Sequence, residues 1–257
     1  MSSIDQARRD LVADLAAVSD APQLEADQLL LEALGQTEAA FLYANGEATL
    51  SPTAIGSLQE LVAQRLTGQP LAYVLGRLDF YGRTFEVTED VLVPRPRTED
   101  VVDRALLRIG ALAEALDSHL WVADVGTGSG VIAITLVLEC LARHIPLNML
   151  ATDISARALE VAARNAARHG VEDFITFRQG DMLEPLKGFA IDLIVSNPPY
   201  VPTDELDKTP SQATAALRFE PRAALDGGAD GQTFIQQITA SSIPAVIEGV
   251  GGEILES

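Results

Sequence analysis

Two clusters in this 257-residue chain hold residue types and spacings that suit the handling of a nucleoside-bearing ligand. The first is Asp124-Val125-Gly126-Thr127-Gly128-Ser129-Gly130. Its three alternate glycines let backbone N–H groups and a following helix N-terminus approach a ligand closely. The second is Asp153, 23 residues after Gly130, at the end of the next strand and placed to accept hydrogen bonds from ribose hydroxyls. Loop and acid together imply an adenosine-type cofactor. The GxGxG spacing, rather than GxGxxG, favours S-adenosylmethionine over a dinucleotide, because no pyrophosphate has to be held. Gly180-Asp181-Met182 follows a further strand; there the Asp181 carboxylate could meet the adenine amino group and the Met182 thioether could pack on its face. The bland alternatives are a tight turn with a capping Asp153 and an ordinary loop at 180–182.

The third cluster is Asn197-Pro198-Pro199-Tyr200, delivered by Ile194-Val195-Ser196 to the carboxyl edge of a sheet, where open α/β sheets bind ligands. Pro198 restricts Asn197 to extended geometry, so the Asn197 carboxamide and the Pro198 carbonyl can converge on one point at little entropic cost. That arrangement suits a planar amino group. Both acceptors bind its hydrogens and draw the nitrogen lone pair out of conjugation, while Tyr200 stacks on the plane. A proline-rich turn with an Asn cap is the structural alternative. His119, His144 and His169 read as surface or core residues, and no general base is assigned.

The elements that must position these clusters are also legible. Beyond Thr98, helix and strand alternate, the signature of an α/β domain with a mainly parallel sheet. Strands are predicted at 120–125, 147–152, 174–178 and 189–196. Ser155 caps a helix whose Ala158, Leu159, Ala162 and Ala166 face the sheet, and Gly170 ends it. From Asp5 to about Gly68 the apolar spacing is helical, and Ser51-Pro52 opens a helix that stops near Gly68. Residues 76–98, rich in Tyr, Phe, Val and Thr with Gly82 at a turn, read as a two-stranded connector. The expected domains are therefore 1–75, a small helical bundle, 76–98, a β-hairpin connector, and 99–257, the cofactor-binding domain.

Composition narrows the functions. The net charge is −19, only Lys187 and Lys208 are lysines, and no Lys/Arg run could neutralise a phosphate backbone, so direct nucleic-acid binding is disfavoured. Residues 1–75 alone carry ten acids against three arginines. The single cysteine, Cys140, lies in an apolar stretch and reads as a buried thiol; neither a disulfide nor a metal cluster is expected. With no basic apolar leader and no apolar stretch of spanning length, a soluble cytoplasmic protein, taken as a monomer, is expected.

The DxGTGSG loop, Asp153, the Ser196–Tyr200 turn, Val93-Pro94-Arg95-Pro96 with Thr98-Glu99, Arg218-Phe219-Glu220-Pro221 and Leu71-Ala72-Tyr73-Val74-Leu75-Gly76 together resemble the peptide chain release factor glutamine N5-methyltransferases (PrmC/HemK) over nearly the whole chain. The resemblance implies a Rossmann-like class I S-adenosylmethionine-dependent methyltransferase domain behind a substrate-docking helical domain. It implies methyl transfer to the glutamine of the Gly-Gly-Gln loop of class I release factors, without a metal. Cofactor contacts carry over to Gly126, Thr127, Gly128, Ser129, Gly130, Asp153, Met182 and Asn197, and substrate contacts to Asn197, Pro198, Pro199 and Tyr200. Two departures stand out: Arg97 replaces a residue often smaller or acidic, and 251–257 resembles the fifth strand, with the family's last antiparallel pair expected beyond it. The asparagine-proline turn alone also occurs in enzymes that methylate adenine N6 or cytosine N4. A ribosomal-protein glutamine, or a shortened domain that binds without turning over, are the other readings.

Overall fold

A computed structural model describes residues 2–116, 119–208, 212–249 and 253–256. The chain forms two compact units, Met1–Gly76 with Ser211–Phe219, and Arg77–Pro210 with Glu220–Ser257.

The first unit is helical: α1 (Ile4–Leu15), α2 (Pro22–Leu34), α3 (Ala39–Ala44), α4 (Pro52–Leu66) and α5 (Leu71–Leu75). Ser51 accepts the Ala54 amide and Pro52 occupies the first turn of α4, as the sequence predicts, because proline lacks only an N–H that the first turn leaves unused. Leu11, Leu15, Leu29, Leu30 and Leu58 share one core. Arg65 is buried with its guanidinium paired, Nε and Nη2 donating to both Glu25 carboxylate oxygens and Nη2 also to the Val18 carbonyl.

The second unit opens with a hairpin, β1 (Arg77–Phe80) and β2 (Arg83–Glu86), antiparallel around Tyr81-Gly82, both at positive φ as a two-residue hairpin turn requires. There follow α6 (Thr98–Leu116), β3 (Leu120–Val125), α7 (Val131–Ala142), β4 (Leu147–Asp153), α8 (Ala156–His169), β5 (Ile175–Gln179), β6 (Leu193–Ser196), α9 (Thr203–Leu206), α10 (Thr233–Thr239), β7 (Ala245–Glu248) and β8 (Ile254–Glu256). Among the described residues the sheet has six strands in the order β5-β4-β3-β6-β7-β8, all parallel except the β7–β8 pair. Its central strands are buried on both faces, which explains their continuous Val, Ile, Leu and Ala runs. Ser155 accepts the Ala158 amide and Gly170 adopts the left-handed C-cap, bounding α8 as expected.

Three strand boundaries differ from the sequence reading. Phe174 belongs to a 3-10 turn, Glu172–Phe174, and is exposed, so β5 starts at Ile175. Residues 189–192 lead into β6 rather than forming it: Phe189 packs its ring 4.9 Å from that of Trp121, and Asp192 Oδ2 accepts the Trp121 amide. The fifth parallel strand is Ala245–Glu248, not the segment at 251–257; the described part of that segment holds the antiparallel strand β8. The apolar Ala245-Val246-Ile247 run is too short to give a periodicity, and its burial comes from pairing with β6.

The chain order reverses between β3 and β6, so this pair is the sheet's switch point. Asp124 lies opposite Val195 in register, and the Ser196 hydroxyl donates to the Val125 carbonyl at 2.6 Å. The glycine loop and the asparagine turn therefore leave the sheet side by side.

Candidate active site

The glycine loop is shaped from within. The Gly126 and Thr127 amides donate to the Thr152 carbonyl, Gly130 to the Thr127 carbonyl, and Gly128 to Asp153 Oδ2 at 2.9 Å. These four N–H groups are bonded within the protein, three to the end of β4 and one inside the loop. The glycines act through conformation and closeness. Gly126, Gly128 and Gly130 all have positive φ, and a Cβ on Gly130 would lie 2.9 Å from Ile134 and 3.1 Å from Ala162, so α7 and α8 close on that point. Buried Asn165 on α8 locks the loop from behind: its Nδ2 donates to the Ser129 and Glu86 carbonyls, and its Oδ1 accepts the Glu86 amide. Sequence reasoning did not single out Asn165, which looks like any polar helix residue.

Asp124, at the end of β3, is wholly buried, and loss of hydration pushes its carboxyl up to about 7 despite hydrogen bonds from Thr127 Oγ1 and the Ala133 amide. Asp153 ends β4 and accepts from the Gly128 and Ser155 amides; burial raises its pKa as well. Half-buried His169 packs on Phe85 with its Nε2 3.0 Å from the Thr84 carbonyl, and Cys140 is buried, as its apolar stretch predicts.

A cavity of about 330 Å³ lies along the carboxyl edge of the sheet. Gly126, Gly128, Asp153, Asp181, Met182 and Asn197 all line it, joining residues from four loops that the sequence had set apart. Thr127, Ser129 and Pro199 also line it, with Ile154 and Phe234 adding apolar wall. Gly130, Pro198 and Tyr200 do not face this cavity. Gly130 is set back into the packing of α7 and α8, Pro198 is buried, and half-buried Tyr200 packs against the Ala123, Ile194 and Ile247 cluster. Glycines hold the turn from beneath: a Cβ on Gly227 would come within 2.7 Å of Tyr200 Cα and 2.8 Å of the Pro199 carbonyl oxygen.

Two further residues reach Asn197. Its Nδ2 donates to Thr98 Oγ1 at 3.0 Å, and Thr98 Oγ1 donates to Glu248 Oε2 at 3.0 Å. Asn197 Oδ1 is buried without a hydrogen-bond partner among the described residues. A buried carbonyl oxygen with no partner is costly, roughly 1–3 kcal/mol, and Oδ1 retains its capacity to accept a hydrogen bond, as do buried Asp124 Oδ1, Ser129 Oγ and Thr135 Oγ1. Near the cavity, buried Glu220 accepts from Arg95 Nη2 at 2.6 Å and from the Val93 amide, fastening the Val93–Pro96 segment. Among the described residues no helix is long and apolar enough to cross a membrane, and no cluster of His, Cys, Asp or Glu is arranged to hold a metal ion.

A parallel sheet reversed at its centre, with a glycine loop, a strand-end acid and a cavity at its carboxyl edge, is the architecture of an α/β methyltransferase, and the profile of the methyltransferase small domain matches residues 100–228. The profile of the PrmC N-terminal domain matches residues 6–76. The release factor glutamine methyltransferase of Xylella fastidiosa is 40% identical over 241 residues, 94% of this chain and 82% of that protein. Those of Moorella thermoacetica and Coxiella burnetii are 42% and 35% identical, covering 89% and 97% of this chain and 76% and 84% of theirs. The chain belongs to the release factor glutamine methyltransferase family.

Proposed function

We propose that this chain transfers the methyl group of S-adenosylmethionine to the side-chain amide nitrogen, N5, of the glutamine in the Gly-Gly-Gln loop of class I release factors. The observation that carries this reading is Asn197 Oδ1, buried without a hydrogen-bond partner among the described residues, beside a cavity that Asp153 at the end of β4 also lines.

The cavity's residues suit the cofactor. Its volume is in the range of small-molecule sites, its wall is largely apolar, and Gly126 and Gly128 leave open space where a Cβ would stand. Asp153 is assigned to the ribose hydroxyls, Asp181 and Met182 to the adenine, and the loop from Gly126 to Gly130 to shaping the pocket floor. When bound, S-adenosylmethionine supplies an electrophilic methyl on a sulfonium.

The chain's own work is to make a poor nucleophile competent. An amide nitrogen shares its lone pair with its carbonyl, and Asn197 Oδ1, with the Pro198 carbonyl, accepts its two hydrogens and localises that pair. Both acceptors strengthen their hold as positive charge grows on the nitrogen, the condition for lowering a barrier rather than merely binding. Orientation contributes in addition; well-aligned juxtaposition alone supplies up to roughly 7–11 kcal/mol. Tyr200 and the Pro198 carbonyl, which do not line the cavity, are assigned to a substrate amide presented beside it, Tyr200 stacking on its plane. The nitrogen's extra proton leaves to water after transfer, so no general base is required.

The acidity of the chain supports a basic protein partner rather than nucleic acid. The test is mass spectrometry of a release factor incubated with this protein and isotopically labelled methyl donor. Label on the loop glutamine is the expected result; label elsewhere, or none, overturns the reading.

A further inference from the structure

We infer that Thr98 and Glu248 act as a positioning relay that dictates which end of the Asn197 carboxamide faces the incoming amide, an inference that rests on the methyl-transfer reading above. A carboxamide is nearly symmetric in shape, so packing alone does not distinguish its oxygen from its nitrogen. The distinction has to be made by hydrogen bonds.

The relay makes it through proton counting. Thr98 Oγ1 lies 3.0 Å from Glu248 Oε2 and 3.0 Å from Asn197 Nδ2. A hydroxyl has one proton, and a carboxylate can only accept. With that proton given to Glu248, Thr98 presents a lone pair to Asn197, and only the NH2 end of the carboxamide can meet it. Oδ1 is thereby turned to the opposite side, where it is buried without a partner among the described residues. Inverting the carboxamide would set Oδ1 against the Thr98 lone pair and offer a donor to the substrate's own NH2.

The setting of the two residues fits this role. Thr98 and Glu248 are 2% and 1% exposed, and Glu248 ends β7 directly beside the strand that delivers Asn197. Burial pushes the Glu248 carboxyl up, while the Thr98 hydrogen bond and the charges of Arg97 and Arg95 favour its ionised form against Asp100. A buried acid whose hydrogen-bond partner among the described residues is one hydroxyl adds little to a core that hydrophobic residues could fill, which points to a use beyond packing.

The test compares Thr98→Val, which keeps shape but removes the lone pair, with Thr98→Ser, which restores it. Thr98→Val is expected to lower kcat about tenfold or more, with the cofactor Kd and the KM for release factor changed less than about threefold. Thr98→Ser is expected to recover most of that loss. Glu248→Met, which removes the acceptor and leaves the Thr98 proton free to meet Asn197 Oδ1, is expected to resemble Thr98→Val and carries the test if Thr98→Val does not fold. A readout independent of turnover is the side-chain amide signal of Asn197 in 15N NMR, identified by its loss in Asn197→Ala. Its shift and exchange protection should change in Thr98→Val and not in Thr98→Ser. An unmoved signal with wild-type kcat, or Thr98→Ser as impaired as Thr98→Val, overturns the relay. Failure of the wild-type protein to methylate any release factor overturns the functional reading instead, and the NMR comparison still decides the relay.

Discussion

The backbone amide of Gly128 donates to the Asp153 carboxylate at 2.9 Å, joining the middle of the glycine loop to the end of β4. One residue thus holds the glycine loop while lining the cavity at the sheet's carboxyl edge itself. Asp153→Ala is expected to weaken cofactor binding at least about tenfold, since a charge-assisted hydrogen bond contributes about 1.5–3 kcal/mol. Isothermal calorimetry on the folded variant checks this; unchanged affinity would place the cofactor elsewhere.

Asn197→Ala should separate catalysis from binding. In the proposed reaction its acceptor is assigned to the nucleophile rather than the methyl donor, so kcat should fall on the order of 100-fold while cofactor affinity changes little. Near-normal turnover in steady-state assays would reduce the turn to a structural element.

Gly227→Ala tests the support beneath the turn. The added methyl meets backbone atoms of Pro199 and Tyr200 at 2.8 and 2.7 Å, which cannot rotate aside. A stability loss of about 1–3 kcal/mol is expected, with kcat reduced more than cofactor affinity. Denaturant midpoints and turnover both at wild-type values would contradict the tight seating of this loop.

Asp124 provides a pH signature. Its folded-state pKa, about 7, lies above its unfolded value of 3.8, so its contribution to stability is fully present below pH 3.8 and is lost as pH rises toward 7. The wild-type protein should therefore lose stability relative to Asp124→Asn across that window, by at most about 1.4 kcal/mol per pH unit. Paired urea titrations from pH 4 to 8 give the comparison, and parallel curves would mean that Asp124 titrates normally.

Association with a release factor should be fast and salt-sensitive. The chain carries −19 overall, and a protein that works beside ribosomal RNA presents a basic surface, so opposite fields would steer the encounter. Stopped-flow rates measured from low to high salt should fall steeply; a flat profile would leave the acidity serving solubility alone.

Much of this protein was legible because its signals are local. The glycine loop, Asp153 and the Asn197–Tyr200 turn announce themselves through backbone restrictions that act within a few residues, and Ser51, Ser155 and Gly170 mark helix ends by the same kind of short-range chemistry. The alternation of strand and helix then implies a parallel sheet without any contact being known.

What the sequence could not carry was decided by distance in the chain. Thr98 and Glu248 stand 150 positions apart, Asn197 and Thr98 are separated by 99, and Asn165 reaches Glu86 across 79. Thr98, Asn165 and Glu248 are locally indistinguishable from ordinary polar residues at a helix start, a helix face and a strand end. The pairing of β6 with β7 sets Asn197 near Glu248, and the packing of α8 on β2 brings Asn165 to Glu86; burial then gives these hydrogen bonds direction: in water either end of the Asn197 carboxamide finds a partner, whereas beside Thr98 only its nitrogen does.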